Sequence, residues 1–227
     1  MGSPDVLQNM TLRAIENVKD LSVIGLGSGS TVAVFIKALA KHVEEKKLGV
    51  HVIPTSLQIK LESEVLGFRI LDDTFIPSID IVFDGADQID ARFNMIKGGG
   101  GALLKEKVLI HAAKEVVILA DESKYVNMLN TAVPVEVHPF ARKYVYERLN
   151  KWGGSPKIRT NEKGYPFVTE NGNVILDTDF GAIDDAVSLE REVKNIAGVM
   201  EVGIFTKRAT KYYKANKNGS LEVLVPR

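Results

Sequence analysis

The sequence predicts an α/β protein: a large domain built on a parallel sheet covered by helices on both faces, and a smaller α+β domain with an antiparallel sheet. Three observations carry this reading. Up to about residue 130, short apolar runs alternate with helical periodicity, as strands buried on both faces require. Polar or glycine-rich clusters follow four of those runs, at 27–31, 55–58, 84–87 and 121–124, which is where open α/β sheets bind ligands. Beyond that point, alternating runs and an Asn-Gly turn signal replace the wholly apolar ones.

Residues 5–19 read as a helix, with Leu7, Met10, Ala14, Ile15 and Val18 at helical spacing. Residues 21–26 are a buried strand, 27–30 a glycine-serine turn, and 31–42 a helix with Val34, Phe35, Ala38 and Leu39 on one face. A strand at 51–54, a helix at 57–66 and a short strand at 68–71 follow. Residues 79–83 are an apolar strand ending at Asp84, 102–113 a helix, and 116–120 an apolar strand ending at Asp121. Parallel strands joined this way need right-handed crossovers. In the second part, 133–137 alternates, 142–152 is helical up to Gly153-Gly154, and 166–168 and 174–176 flank Asn171-Gly172 as a hairpin. Residues 186–197 read as a helix and 202–206 as a strand, while the basic stretch 207–217 reads as solvated surface.

Composition bounds the function. The chain has 227 residues, 45% of them apolar, enough for one large core or two smaller ones. Lys plus Arg equals Asp plus Glu at 29 each. No overall field therefore favours nucleic acid or an anionic membrane, and any anion must be held by local groups. The absence of cysteine excludes a disulfide framework, a thiolate metal site and a cysteine nucleophile, and fits a cytoplasmic setting. No apolar run reaches the roughly 18 residues that span a bilayer, and the start, with Asp5, does not read as a signal peptide. Residues 224–227, Leu-Val-Pro-Arg, resemble a protease-site remnant of recombinant expression.

Four constellations are suited to chemistry. In Gly25-Leu26-Gly27-Ser28-Gly29-Ser30-Thr31 a strand runs through small residues into a helix start. Glycine amides, hydroxyls and the helix end suit a phosphate, although a tight turn with Ser30 or Thr31 as cap explains it equally. No Gly-Lys-Ser/Thr follows, so it is not a Walker loop. Asp84, Asp87 and Asp90 crowd three carboxylates behind a buried strand. Their repulsion suggests a metal site or acid/base chemistry, against a plain acidic surface loop. Lys97 precedes Gly98-Gly99-Gly100-Gly101, and a run of four glycines carries an entropy cost that a ligand approaching the backbone would explain. On the next helix Glu106 shares a face with Ala102, Leu109 and Ala113, which suits a general base; a surface glutamate between Lys105 and Lys107 is the alternative. Lys124, in Asp121-Glu122-Ser123-Lys124, offers a phosphate a point charge or belongs to an ordinary capping turn. The four histidines lack metal-ligand spacing.

In this order the motifs resemble the ribose-5-phosphate isomerase A family. The resemblance rests on Gly27-Ser28-Gly29-Ser30-Thr31, Asp84-Gly85-Ala86-Asp87, Lys97-Gly98-Gly99-Gly100, Glu106-Lys107 and Ser123-Lys124. It continues through Pro134-Val135-Glu136-Val137, 171–177 and Gly198-Val199 to Val202-Gly203-Ile204-Phe205, and so covers most of the chain. Gln88 stands where the family usually has Glu, 55–59 follows its serine-rich loop in part, and the tail from Ala209 diverges.

The resemblance implies a Rossmann-like large domain, residues 1–130 with 206–227, and a small α+β domain, 131–205. It implies an aldose–ketose isomerase that interconverts D-ribose 5-phosphate and D-ribulose 5-phosphate through an enediolate, in the non-oxidative pentose phosphate pathway. It further implies no cofactor and no metal, a small-molecule sugar phosphate as partner, and a homodimer or homotetramer. Glu106 matches the general base; Asp84 and Asp87 match carboxylates for ring opening and hydroxyl binding; Lys97 matches the lysine that stabilises the enediolate. Ser28, Gly29, Ser30, Thr31, Gly85, Ala86, Gly98, Gly99, Gly100 and Lys124 match substrate-binding positions, with phosphate the ligand of some. The chemistry agrees, because aldose–ketose exchange needs one base and one stabiliser of a developing oxyanion. Two other readings compete: a different sugar-phosphate isomerase or deaminase on a related fold, which substrate profiling separates, and an effector-binding domain of a transcriptional regulator. The second would carry a basic helix-turn-helix, and none is legible.

Overall fold

The structure, a computed structural model, describes residues 4–71 and 78–226; Arg227, the last residue of the Leu-Val-Pro-Arg run, lies outside them. In chain order the first elements are α1 (Pro4–Ile15), β1 (Val23–Leu26), α2 (Gly29–Lys46), β2 (His51–Pro54), α3 (Leu57–Val65) and β3 (Arg69–Ile70). Then come β4 (Ile79–Asp84), β5 (Gln88–Ile89), β6 (Met95–Ile96), α4 (Leu103–Ala112) and β7 (Ala113–Asp121). The later elements are β8 (Val133–Val137), α5 (Arg142–Lys151), β9 (Ser155–Ile158), β10 (Val174–Asp179) and α6 (Ala186–Lys194). The last four strands are β11 (Val199–Val202), β12 (Ile204–Phe205), β13 (Lys211–Ala215) and β14 (Leu221–Leu224). These elements form two compact units that interleave along the chain. The described residues of Met1–Ala86, Lys105–Lys124 and Ala209–Arg227 make the first, and Asp87–Leu104 with Tyr125–Arg208 the second.

The first unit is built on a seven-stranded sheet in the order β14-β13-β7-β4-β1-β2-β3. All its pairings are parallel except β13 with β14. β1 and β4 lie inside the sheet, which is why Ile24, Leu26, Val82 and Phe83 are buried in unbroken apolar runs. α2 packs Val32, Phe35, Ile36 and Leu39 inward, and Phe35 stacks on Phe83 with ring centroids 4.3 Å apart. Val34, expected on that face, is 38% exposed.

Four boundaries differ from the periodicity, each for a local reason. α1 ends at Ile15 rather than 19, because the amides of Asn17 and Val18 turn back to Ala14 and Ile15. Leu21 has φ 59 and is 74% exposed, so β1 begins only at Val23. α4 passes directly into β7, with Ala112 helical and Ala113 already paired to Ile79. The basic stretch is not merely solvated surface: β13 lies within it, with Tyr212 and Tyr213 buried. Its lysines flank that strand in ion pairs, Lys211 with Glu115 at 3.9 Å, Lys214 with Glu222 at 3.7 Å and Lys217 with Glu122 at 3.4 Å.

The second unit holds a four-stranded antiparallel sheet, β11-β8-β10-β9, and a three-stranded one, β12-β6-β5. α5 and α6 bury Val145, Leu149 and Val193 in its core beside Val135, Leu176 and Val202. All five residues of β8 are buried, so its alternation is not that of a half-wet strand. Glu136, fully buried, is accommodated because its Oε1 accepts from Thr169 Oγ1, Asn171 Nδ2 and Asn173 Nδ2 at 2.8–3.0 Å. The Asn171-Gly172 turn is present, with Thr169 N–H donating to the Asn173 carbonyl. Its leading arm is reduced to isolated bridges at Pro166 and Val168. β10 pairs instead with β8 and β9.

Candidate active site

Parallel pairing sets the carboxyl ends of β1, β2, β4 and β7 on one edge of the large sheet. The segments that follow them are thereby gathered at that edge. β1 runs into Gly27, whose N–H donates to the Phe83 carbonyl at 2.9 Å. A Cβ on Gly27 would lie 1.9 Å from Asp84 Oδ1, so the close approach of that carboxylate admits only glycine. Ser28 is the N-cap of α2, with extended backbone, yet its side chain makes no capping hydrogen bond. Its hydroxyl donates instead to Glu106 Oε1, at 2.5 Å. A serine cap ordinarily adds about 1 kcal/mol to a helix. Here the hydroxyl serves a carboxylate on α4.

Two consecutive residues, Gly27 and Ser28, are thus packed against two carboxylates, Asp84 and Glu106, which are 1% and 3% exposed. Asp84 ends β4 and accepts from the Gly85 amide at 2.7 Å. Glu106 stands in the first turn of α4, where the positive end of the helix favours negative charge. Gly29, Ser30 and Thr31 form the first turn of α2. Gly85 faces that turn: a Cβ there would lie 3.9 Å from Thr31 Cβ. Ala86 follows on the same segment. Lys124 closes a single 3-10 turn after β7. Burial pushes the neighbouring Asp121 carboxyl up, but hydrogen bonds from the Ser123 hydroxyl and amide, with the charge of Lys124, outweigh this and hold it below the usual range.

The other sequence candidates belong to the second unit. Asp87 Oδ2 accepts from the Gly99 amide at 2.9 Å, and the Asp87 amide donates to the Ile96 carbonyl at 2.8 Å. Gly98 and Gly99 follow Lys97, which is 3% exposed with its Nζ 5.6 Å from the Phe205 ring centroid. Gly100 is exposed. Gly101 has φ +82, and a Cβ there would meet the Phe167 ring at 2.6 Å, so both backbone and space demand glycine. The third carboxylate of the acidic segment has a different task. Asp90 accepts from the amides of Arg92 and Asn94 and from Asn94 Nδ2, each at 2.8 Å, and so stabilises its own turn. Among the described residues no group of three His, Cys, Asp or Glu is placed to hold a metal ion.

The structure therefore gathers Ser28, Thr31, Asp84, Gly85 and Glu106 in the first unit, with Lys124 at the end of β7 on the same sheet edge. In the second unit it joins Asp87 to the loop that carries Lys97, Gly98, Gly99 and Gly100. A residue absent from the sequence reading, Arg159, also reaches that loop, donating to the Gly98 carbonyl at 2.7 Å, and its guanidinium is paired with Asp177. Asp177 sits at the end of a recognised motif, but nothing around Arg159 marks it in the sequence.

Comparisons with known proteins agree on one family. Residues 51–219 match the model of ribose 5-phosphate isomerase A (phosphoriboisomerase A). Ribose-5-phosphate isomerase A of Archaeoglobus fulgidus is 45% identical over 203 residues, which is 88% of this chain and 89% of that protein. The solved structure of ribose 5-phosphate isomerase A from Methanocaldococcus jannaschii superposes with a TM-score of 0.91 at 40% identity, covering 97% of this chain and 98% of that one. A D-ribose-5-phosphate isomerase solved in complex with phospho-erythronic acid superposes with a TM-score of 0.94 at 34% identity, covering 99% of this chain and 100% of that one.

Proposed function

The chain belongs to the ribose 5-phosphate isomerase A family, and from that premise we propose how its own residues interconvert D-ribose 5-phosphate and D-ribulose 5-phosphate. The observation that carries the reading is the buried Glu106 carboxylate, held at one oxygen by Ser28 at 2.5 Å on the ligand-binding edge of the parallel sheet. In the open-chain aldose, the carbon beside the aldehyde carries an acidic hydrogen. Glu106 takes that proton from C2, leaving an enediolate; the C2 hydroxyl gives its proton up as O1 gains one, and Glu106 returns the carbon proton to C1 to give the ketose. No bond to the enzyme forms and no electron leaves the substrate.

Negative charge develops on the substrate oxygens as the proton leaves, and the Lys97 ammonium is the group suited to stabilise it. Ring opening must come first, with a proton taken from the anomeric hydroxyl and one supplied to the ring oxygen. Asp84 and Asp87 fit that exchange and afterwards hold substrate hydroxyls. Gly85 and Ala86 of the first unit, and Gly98, Gly99 and Gly100 of the second, are the segments assigned to sugar binding. Ser28, Gly29, Ser30 and Thr31 offer a helix N-terminus and hydroxyls to the phosphate, with Lys124 as counter-charge. The phospho-erythronic acid bound in a structural relative carries a phosphate and hydroxyls, the same groups that these residues are proposed to hold.

The test is Glu106→Gln. Turnover should fall by roughly a thousandfold or more, while KM changes by less than about threefold. Turnover near the wild-type value rejects the assignment. We also propose self-association as a homodimer or homotetramer, supported by large exposed apolar side chains in the second unit, Phe140 at 95% and Tyr165 at 66%. A monomer mass by light scattering rejects that. The cytoplasm is the proposed compartment, since a sugar phosphate is a dianion that does not cross bilayers unaided; among the described residues no helix is long and apolar enough to do so either. Cell fractionation tests it.

A further inference from the structure

We propose that Arg159, held by Asp177, is a positioning residue that sets the glycine loop and, through it, Asp87. The proposal rests on the isomerase reading above and concerns residues of the second unit alone. The Arg159 guanidinium is only 15% exposed, and four of its five N–H groups are engaged. Nε and Nη2 donate to the two oxygens of Asp177, at 2.9 and 2.5 Å. Nη1 donates to two successive carbonyls of the loop, Gly98 O at 2.7 Å and Gly99 O at 2.9 Å. The Phe167 ring lies beneath, 5.9 Å from the guanidinium carbon, and the same ring fills the space a side chain at Gly101 would need.

A peptide group is planar and trans, so its C=O and the next N–H point in opposite directions. When Arg159 captures the Gly98 carbonyl, it fixes the Gly99 amide on the far side of that plane. That amide is the one that donates to Asp87 Oδ2. When it captures the Gly99 carbonyl, it likewise turns the amide of the exposed Gly100 away from itself, free to meet a ligand. One cation thus orients a carboxylate and a backbone donor without standing at the reacting carbons. Four successive glycines have little intrinsic resistance to peptide rotation; Gly101 N–H closes the turn on the Gly98 carbonyl at 3.0 Å, and Arg159 adds a hold on that carbonyl and the next from outside. A planar fork does this and an ammonium does not, because lysine cannot grip both oxygens of Asp177 and both carbonyls at once. The Asp177 carboxylate matters twice: it aims the fork and balances a mostly buried charge.

The experiment compares Arg159→Lys, Arg159→Ala, Asp177→Asn and Asp87→Asn with wild type, on purified full-length chain with ribose 5-phosphate. Arg159→Lys should lower kcat by roughly 100-fold with KM within about threefold, the scale of a misplaced catalytic group. The melting temperature should stay within a few degrees. Guanidinium ion added at millimolar concentration should restore at least about tenfold to Arg159→Ala, and nothing to Glu106→Gln. In the Asp87→Asn background, Arg159→Lys should have little further effect, because it acts through that carboxylate. Retained kcat in Arg159→Lys overturns the proposal. So does a loss that is fully additive with Asp87→Asn, or one that tracks a collapse in melting temperature without guanidinium rescue. If Arg159→Ala fails to fold, Asp177→Asn carries the test, and an unchanged kcat there is equally fatal. A wild-type chain inactive on ribose 5-phosphate would instead sink the isomerase reading itself.

Discussion

The side chain most diverted from its ordinary task is Ser28. An N-cap serine changed to alanine usually costs about 1 kcal/mol of stability, yet this hydroxyl caps nothing and serves Glu106. Ser28→Ala should therefore leave the melting temperature almost unchanged while lowering kcat roughly tenfold. Thermal melting beside a turnover assay checks both halves, and a normal capping penalty with intact turnover contradicts them. Gly27→Ala should do the opposite of a mild change, since the added methyl would collide with Asp84 Oδ1. Turnover should collapse while the far-ultraviolet spectrum keeps its helical signal. The helical face leaves Glu106 open between a base and a surface glutamate, and nothing in the sequence gives its partner, because a hydroxyl seventy-eight positions away declares nothing about where it points. Asp90 shows the converse: it looks like a third reactive carboxylate, and the fold spends it on a turn.

At the level of elements, the inner strands were legible because burial on both faces forces short apolar runs, residues 81–83 in β4 and 116–120 in β7. β13 was not, since Lys-Tyr-Tyr-Lys-Ala carries its charges on side chains that ion-pair along the sheet margin while its tyrosines go inward. β9, with Pro156 inside it, likewise pairs only through its antiparallel neighbour β10, a long-range contact that no local pattern encodes. One ion pair ties two elements together. Asp80 in β4 is held below its ordinary value of 3.8, first by the hydrogen bond from Lys114 in β7 and next by the Val23 amide. A carboxyl depressed by folding stabilises above its unfolded value, and that contribution is lost as pH falls through the lower folded value. Wild type should thus lose more stability than Asp80→Asn between pH 5 and strongly acid solution. The difference is small, because the side chain is 38% exposed and well screened. Circular-dichroism melts across that range measure it, and parallel losses in the two proteins refute it.

For the whole molecule, the proposed reaction assigns every role to ordinary side chains and backbone amides. Activity on ribose 5-phosphate should survive exhaustive chelation; a loss restored by a divalent ion would reassign the acidic segment to a metal. The two-part organisation was readable from the change of texture near residue 130. The return of the chain to the first unit after 206 is implied by the family resemblance, but the excursion of Asp87–Leu104 into the second unit is drawn only by tertiary contacts. Neither unit is a continuous segment, so no single cut in the gene yields one of them intact.

The position of β13 has a consequence for how this polypeptide is made. β7 ends at Asp121, and the strand that covers its open side, β13, begins only at Lys211, after the whole of the second unit's long segment has been made. Until Lys211–Ala215 has emerged, the amides and carbonyls on the side of β7 away from β4 have no neighbour to bond. Such an edge invites pairing with foreign strands. A need to shelter that edge until Lys211–Ala215 emerges is built into the order in which this molecule is spelled.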